Sequence, residues 1–168
     1  MLQPVVRRTW APRGQTPILR AWDRHDRLSV ISAITLAARR VRLGLYWQIH
    51  SENIRGLQVV VFLRALRRNV RSKLILILDG SKPHRSKVLQ EYLERHAGII
   101  RVEWLPPYAP DLNPTEQVWN HTKYSDLANF IPHDIADLRT HVGDSIAAQR
   151  TQTGLLQSFF NLAHLSLR

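Results

Sequence analysis

Asp79 follows Lys73-Leu74-Ile75-Leu76-Ile77-Leu78, a continuous apolar run expected of a strand buried on both sides of a sheet. Ligand sites of open α/β sheets gather at the carboxyl ends of such strands, which is where this carboxylate stands. Glu116 lies 37 positions further on (116 − 79), three residues after Asn113 with Pro114 between them. Two carboxylates supply hard oxygen donors, the ligands that suit Mg²⁺ or Mn²⁺. Each acid also has a purely structural reading. Asp79-Gly80 is an ordinary turn pair, and Asn113, Pro114 and Glu116 spell a helix start with Asn at the N-cap, Pro at N1 and Glu at N3.

Other chemistries are narrower. The chain has no cysteine, so disulfides, thiolate zinc sites and cysteine nucleophiles are excluded, and its eight histidines lack the close paired spacing of a zinc site. Basic residues dominate, 24 against 13 acidic, and the resulting net charge of +11 favours polyanionic partners. The excess is concentrated early: residues 1–100 carry 19 Lys/Arg against 6 Asp/Glu, residues 101–168 only 5 against 7. Arg64, Arg67, Arg68 and Arg71 fall at helical spacing on one face, a stripe that either tracks phosphates or is simply solvated. Lys82 and His84, near the start of the helix after Asp79, either approach phosphate or serve as capping and surface residues.

The elements that must position these groups form one domain over residues 1–168, within the ~100–200 residues of an ordinary domain. Its first third reads as antiparallel strands: Pro17–Trp22, Leu28–Leu36 and Val41–Ile49, with turns at Pro12-Arg13-Gly14 and Asp23-Arg24-His25-Asp26. From Ser51 or Asn53, as N-cap, an apolar run to Val70 is too long for a strand and reads as a helix. After the strand ending at Asp79 comes a helix over about Arg85 to Ala97, stopped by Gly98, and then a strand over Ile100–Trp104. That order implies a parallel pair joined by a helical crossover. A proline-rich loop leads to the helix carrying Glu116. Two further helical patterns, through Ile135, Leu138, Val142 and Ile146 and through Leu155, Leu156, Phe159, Phe160 and Leu162, are expected to cover one face of the sheet. The most apolar helical stretch, Leu57 to Leu66, contains Arg64 and is shorter than the ~20 residues that span a bilayer.

The surroundings of the two acids are more specific than the acids themselves. Leu76-Ile77-Leu78-Asp79-Gly80-Ser81-Lys82-Pro83-His84-Arg85-Ser86 resembles the second-aspartate motif of mariner-like and related bacterial insertion-sequence DDE transposases. Leu105-Pro106-Pro107-Tyr108-Ala109-Pro110-Asp111-Leu112-Asn113-Pro114-Thr115-Glu116-Gln117-Val118-Trp119 is similar to their third-acid motif, and the spacing of 37 (116 − 79) lies in the family's range. Arg7-Arg8-Thr9-Trp10-Ala11-Pro12-Arg13-Gly14-Gln15-Thr16-Pro17 looks like the segment that follows the family's first aspartate. Gly80 stands where the family usually has Asn.

The resemblance implies a ribonuclease-H-like α/β fold, a mixed sheet flanked by helices, in which three carboxylates hold two divalent metals, Mg²⁺ or Mn²⁺. Asp79 and Glu116 are then metal ligands and catalytic residues, DNA is the partner as transposon ends and target, and the active full-length form is a homodimer or higher oligomer. A cytoplasmic, nucleoid-associated bacterial protein is expected, with no membrane. No acid precedes Asp23. The family's first aspartate and its helix-turn-helix region are therefore expected to lie outside this sequence, and with them the central first strand. Alone, the chain is then expected to be inactive and poorly stable. Two alternatives stay open: a nucleic-acid-binding remnant without catalysis, or a metal-dependent nuclease that recruits Asp23 or Asp26 as its third ligand.

Overall fold

The computed structural model describes residues 7–8, 10–18, 27–37 and 42–165. The readings placed on Met1–Val6, on the turn with Asp23 and Asp26, and on most of Pro17–Trp22 lie outside the described residues. Pro12-Arg13-Gly14 is a turn as expected: Gln15 N–H donates to the Pro12 carbonyl at 3.0 Å, and Gly14 takes φ +84°, a conformation that side-chain-bearing residues rarely adopt.

Strands β1 (Ser29–Leu36) and β2 (Leu43–His50) pair antiparallel, with Ser32 opposite Trp47 and Ile34 opposite Leu45. Helix α1 (Gly56–Asn69) then leads to β3 (Leu74–Leu78), α2 (Lys87–Arg95) and β4 (Ile100–Trp104), and β3 and β4 pair in parallel with Leu76 opposite Val102. The strand–helix–strand order thus yields the expected parallel pair. A 3₁₀ turn (Pro110–Leu112) precedes α3 (Pro114–His121), a π-turn (Thr122–Asp126) follows it, and α4 (Ile135–Thr151) and α5 (Thr153–Leu162) end the described chain.

The alternation of β1 and β2 gives each face of that hairpin its own core. Val30, Ile34, Leu45, Trp47 and Ile49 pack with Val118 of α3, Leu138, Val142 and Ile146 of α4, and Leu156 and Phe159 of α5. Ile31, Ala33 and Tyr46, on the opposite face, join Val59, Val60, Leu63 and Leu66 of α1, Leu89 and Tyr92 of α2, and Leu76, Leu78, Ile100 and Val102 of β3 and β4. Helices thus flank small sheets on two sides, as the sequence implies.

Three local expectations are corrected. β3 is not buried on both sides: Leu78 is 7% exposed, but Ile75 is 69% and Ile77 59% exposed, because among the described residues only the α1–α2 layer covers that strand. Helix α1 starts later than Ser51 or Asn53. Its N-cap is Arg55, whose N–H donates to Gln58 Oε1 at 3.0 Å. Gly56 lets the helix begin there in close quarters: a Cβ would collide with Ser86 Oγ, so the first turn of α1 seats directly on the segment entering α2. Helix α2 stops at Arg95 with His96 as C-cap rather than at Gly98, and the His96 ring Nδ1 lies 2.7 Å from the Tyr92 carbonyl. The ring meets a carbonyl of the last turn, so the helix closes before glycine is needed.

Candidate active site

Asp79 leaves the carboxyl end of β3 and begins a tightly tied loop. Its Oδ1 accepts from Ser81 N–H at 3.0 Å and lies 2.6 Å from His84 Nδ1, while Ser81 Oγ lies 3.1 Å from the same ring nitrogen. His84 N–H and Arg85 N–H both donate to the Ser81 carbonyl, closing a turn that points the ring back at the acid. The His84 contact is the main reason the Asp79 carboxyl is held well below the usual carboxylate range. Ser81 helps, and partial burial opposes. The backbone turn lies at Lys82–Arg85 rather than at Asp79-Gly80, and Asp79 closes the loop through its side chain while its carboxylate stays ionised.

Glu116 is placed by different means. After β4 the chain runs on beside β3, with Leu105 N–H donating to the Leu78 carbonyl at 2.8 Å, so the loop toward α3 starts next to Asp79. Asn113 caps α3 by accepting from Thr115 N–H at 3.1 Å, with Pro114 in the first turn. A capping box would also have Glu116 accept from Asn113 N–H. That N–H instead donates to the Pro110 carbonyl at 2.9 Å, which leaves the Glu116 side chain free of capping duty. Burial raises the Glu116 carboxyl above its ordinary value, the Asp79 charge raises it further, and Lys123 opposes both. Two acids 37 positions apart (116 − 79) are thus close enough to repel each other.

This pair fits a hard divalent cation by donor chemistry, since both groups offer carboxylate oxygens and the cation would relieve their repulsion. Among the described residues, no group of three or more His, Cys, Asp or Glu is placed to hold a metal, so the pair stands without a third such ligand there. Asp23 and Asp26 lie outside those residues.

The basic candidates are scattered differently. Lys82 is exposed on the loop after Asp79, and His84 is committed to Asp79. Arg64 lies over the Tyr92 ring with its Cζ 5.8 Å from the centroid. Arg67 binds the carbonyls of Val70, Ser72 and Arg71, closing the C-terminal end of α1. Arg68 and Arg71 are exposed. Because α1 begins against Ser86 and rises ~1.5 Å per residue, Arg67 sits ~16 Å along the helix from the Asp79 loop. The stripe and the acids therefore occupy opposite ends of β3.

Sequence reasoning missed a buried polar cluster behind α3. Thr122 and Gln149 are fully buried and Ser145 is 7% exposed. Gln149 Nε2 donates to Thr122 Oγ1 at 2.8 Å and to Ser145 Oγ at 3.2 Å, and Ser145 Oγ donates to Asp126 Oδ2 at 2.7 Å. The only advance signal is Ser145 and Gln149 at i and i+4 on the apolar side of α4, four residues apart like a core pair.

A family model described as "DDE superfamily endonuclease" matches residues 1–139. Among solved structures, the chain is similar to "Crystal structure of the Mos1 mariner paired end complex with Mn", with a TM-score of 0.65 at 16% identity over 97% of this chain and 49% of that one. It is also similar to "Crystal structure of the Mos1 Strand Transfer Complex", with a TM-score of 0.64 at 15% identity over 97% of this chain and 48% of that one. "Mos1 transposase paired-end complex with left transposon end" gives 0.63 at 16%, over 97% and 48%. The chain thus has the ribonuclease-H-like fold of those structures and spans about half their length. No curated protein matches.

Proposed function

The chain belongs to the DDE superfamily endonucleases, and from that premise we propose that it is part of the catalytic domain of a DNA transposase, with Asp79 and Glu116 as ligands of a divalent metal. The observation that carries the reading is the Glu116 carboxylate, freed from helix capping and held near enough to Asp79 to be raised by its charge. Keeping two carboxylates together costs free energy unless a cation joins them, so the arrangement makes sense as a metal site and not as a fold requirement.

A bound Mg²⁺ or Mn²⁺ would activate an attacking oxygen and stabilise the leaving oxygen of a DNA phosphodiester. The chain's own residues supply the rest. Asp79, ionised across the neutral range, offers Oδ2, while Oδ1 is fixed by Ser81 and His84. Glu116 approaches from α3. Neither acid attacks phosphorus. His84 orients the carboxylate, and Lys82 and the exposed Arg68 and Arg71 contribute to the positive field that draws DNA. Cleavage and strand transfer would call for a further carboxylate beside this pair, and the acting form would be a homodimer or higher oligomer on transposon ends. That one structural neighbour is a paired-end complex with Mn supports the metal class.

The test is Mn²⁺ binding by this chain and by Glu116→Gln and Asp79→Asn. Each substitution is expected to weaken binding by more than tenfold. Equal affinity in all three proteins sinks the assignment.

A further inference from the structure

Given the reading of Glu116 as a site residue, on which this inference rests, we propose that Thr122, Ser145 and Gln149 are positioning residues that fix the rotation of α3 and so set the direction in which it presents Glu116. Among the described residues no hydrogen bond reaches the Glu116 carboxylate, and the helix that bears it sets where its backbone stands. That helix is eight residues long, too short to hold its own geometry in water. Val118 anchors it in the core at 0% exposure, but apolar packing is non-directional and sets depth better than rotation.

Direction comes from the far end. Immediately after His121 the helix widens into a π-turn, with Leu127 N–H donating to the Thr122 carbonyl at 2.9 Å, five residues back. Its first residue, Thr122, presents Oγ1 to Gln149 Nε2 at 2.8 Å and to Ser145 Oγ at 3.1 Å. Its last, Asp126, accepts from Ser145 at 2.7 Å, and its other oxygen lies 3.4 Å from Nε2 of His121, the final residue of α3. Both ends of the π-turn are thereby bolted to α4. Among the described residues Gln149 Oε1 is buried without a partner, a penalty a leucine filling the same space would not carry. What the amide supplies in return is the two directed bonds its nitrogen makes.

The lever is short. Thr122 follows Glu116 by six residues, ~9 Å of helix, and a side-chain tip ~6 Å from the axis moves ~2 Å when the helix turns by ~20°. Misplacement of a reacting group by ~1 Å can cost ~100-fold.

The experiment measures Mn²⁺ binding to the 168-residue protein by electron paramagnetic resonance, with thermal melting of each variant in the same buffer. Thr122→Val and Gln149→Leu are expected to weaken Mn²⁺ binding at least tenfold at temperatures where each remains folded, while Thr122→Ser, which keeps the hydroxyl, binds like the unmodified chain. Val142→Ala, which opens a cavity in the same core without touching the cluster, lowers the melting temperature and leaves binding unchanged. If Thr122→Val does not fold, Ser145→Ala and Gln149→Leu decide the matter in its place. Unchanged affinity in the cluster variants, or an equal loss in Val142→Ala, overturns the positioning role and leaves the site assignment standing. Failure of the unmodified chain to bind Mn²⁺, or binding that survives Asp79→Asn, overturns the assignment and this inference together.

Discussion

Asp79 finds its hydrogen-bond partners within five residues of chain, Ser81 and His84, whereas Glu116 finds none among the described residues and stands where α3 has been packed. The first acid is held by a local turn, the second by a helix whose place depends on β1, α4 and α5. Their ionisation follows. Hydrogen bonds that favour the charged form depress the Asp79 carboxyl, while burial and the neighbouring charge raise that of Glu116. The lesson is that two neighbouring acids can be prepared differently, one as a pre-formed anion and the other as a carboxylate kept under electrostatic strain. Removing the two acids is therefore expected to have similar effects on function and opposite effects on stability.

The largest effect on that comparison is functional. In a longer protein that cleaves DNA with Mg²⁺, Asp79→Asn and Glu116→Gln are each expected to reduce strand cleavage by more than ~100-fold, since each removes one of the few charges that hold the cation. Cleavage assays on terminal-repeat DNA check this, and substantial activity in Glu116→Gln would return that residue to a structural role.

Next comes His84→Ala, which leaves Oδ1 of Asp79 with Ser81 alone. A loss of about 1–2 kcal/mol is expected from denaturant melts, at the lower end of charge-assisted hydrogen bonds because the site is partly exposed. The same variant should show the Asp79 carboxyl titrating closer to its ordinary value by NMR. No rise in that titration would mean that the turn itself, and not the imidazole, holds the acid.

The stability contrast is sharpened by pH. Asp79 has a folded value below its unfolded one, so its contribution is present above about pH 4 and is lost as pH falls toward the folded value. Glu116 has a folded value above its unfolded one, so its neutral form favours folding at low pH and that advantage is lost as pH rises through the folded value. Glu116→Gln is therefore expected to melt at the same temperature as the unmodified chain, or a few degrees higher, at pH 7, with any gain vanishing below about pH 4. Calorimetry across that range reads the sign, and a clear destabilisation at pH 7 contradicts it. The smallest effect expected is that of Asn113→Ala, about 1 kcal/mol for a lost N-cap, which should loosen α3 without altering Asp79.

Much of this was legible in the chain because the signals are local. The proline after Asn113 and the cap it forms, the β3–α2–β4 order, and the apolar periodicity of α4 and α5 all depend on residues within a few positions of one another. The two motifs around Asp79 and Glu116 likewise identify the family over most of the chain. That among the described residues β3 is covered on one face only was not legible, since a run of alternating Leu and Ile reads the same whether one face or two are covered. Nor was the use of Arg67, whose spacing suits a phosphate-tracking stripe but whose guanidinium closes the end of α1.

Sequence by itself determined which acids are candidates, which elements carry them, and that the chain's charge suits a polyanion. Only the tertiary structure decided that the Asn113 N–H goes to Pro110 rather than to Glu116, that the Asp79 charge acts on Glu116, and that Thr122 is tied to Gln149 across 27 positions of chain. The reason is physical: helix caps and periodicities are set by neighbours along the backbone, whereas a carboxylate's charge state and a short helix's rotation are set by groups that only packing brings within hydrogen-bond or Coulomb range.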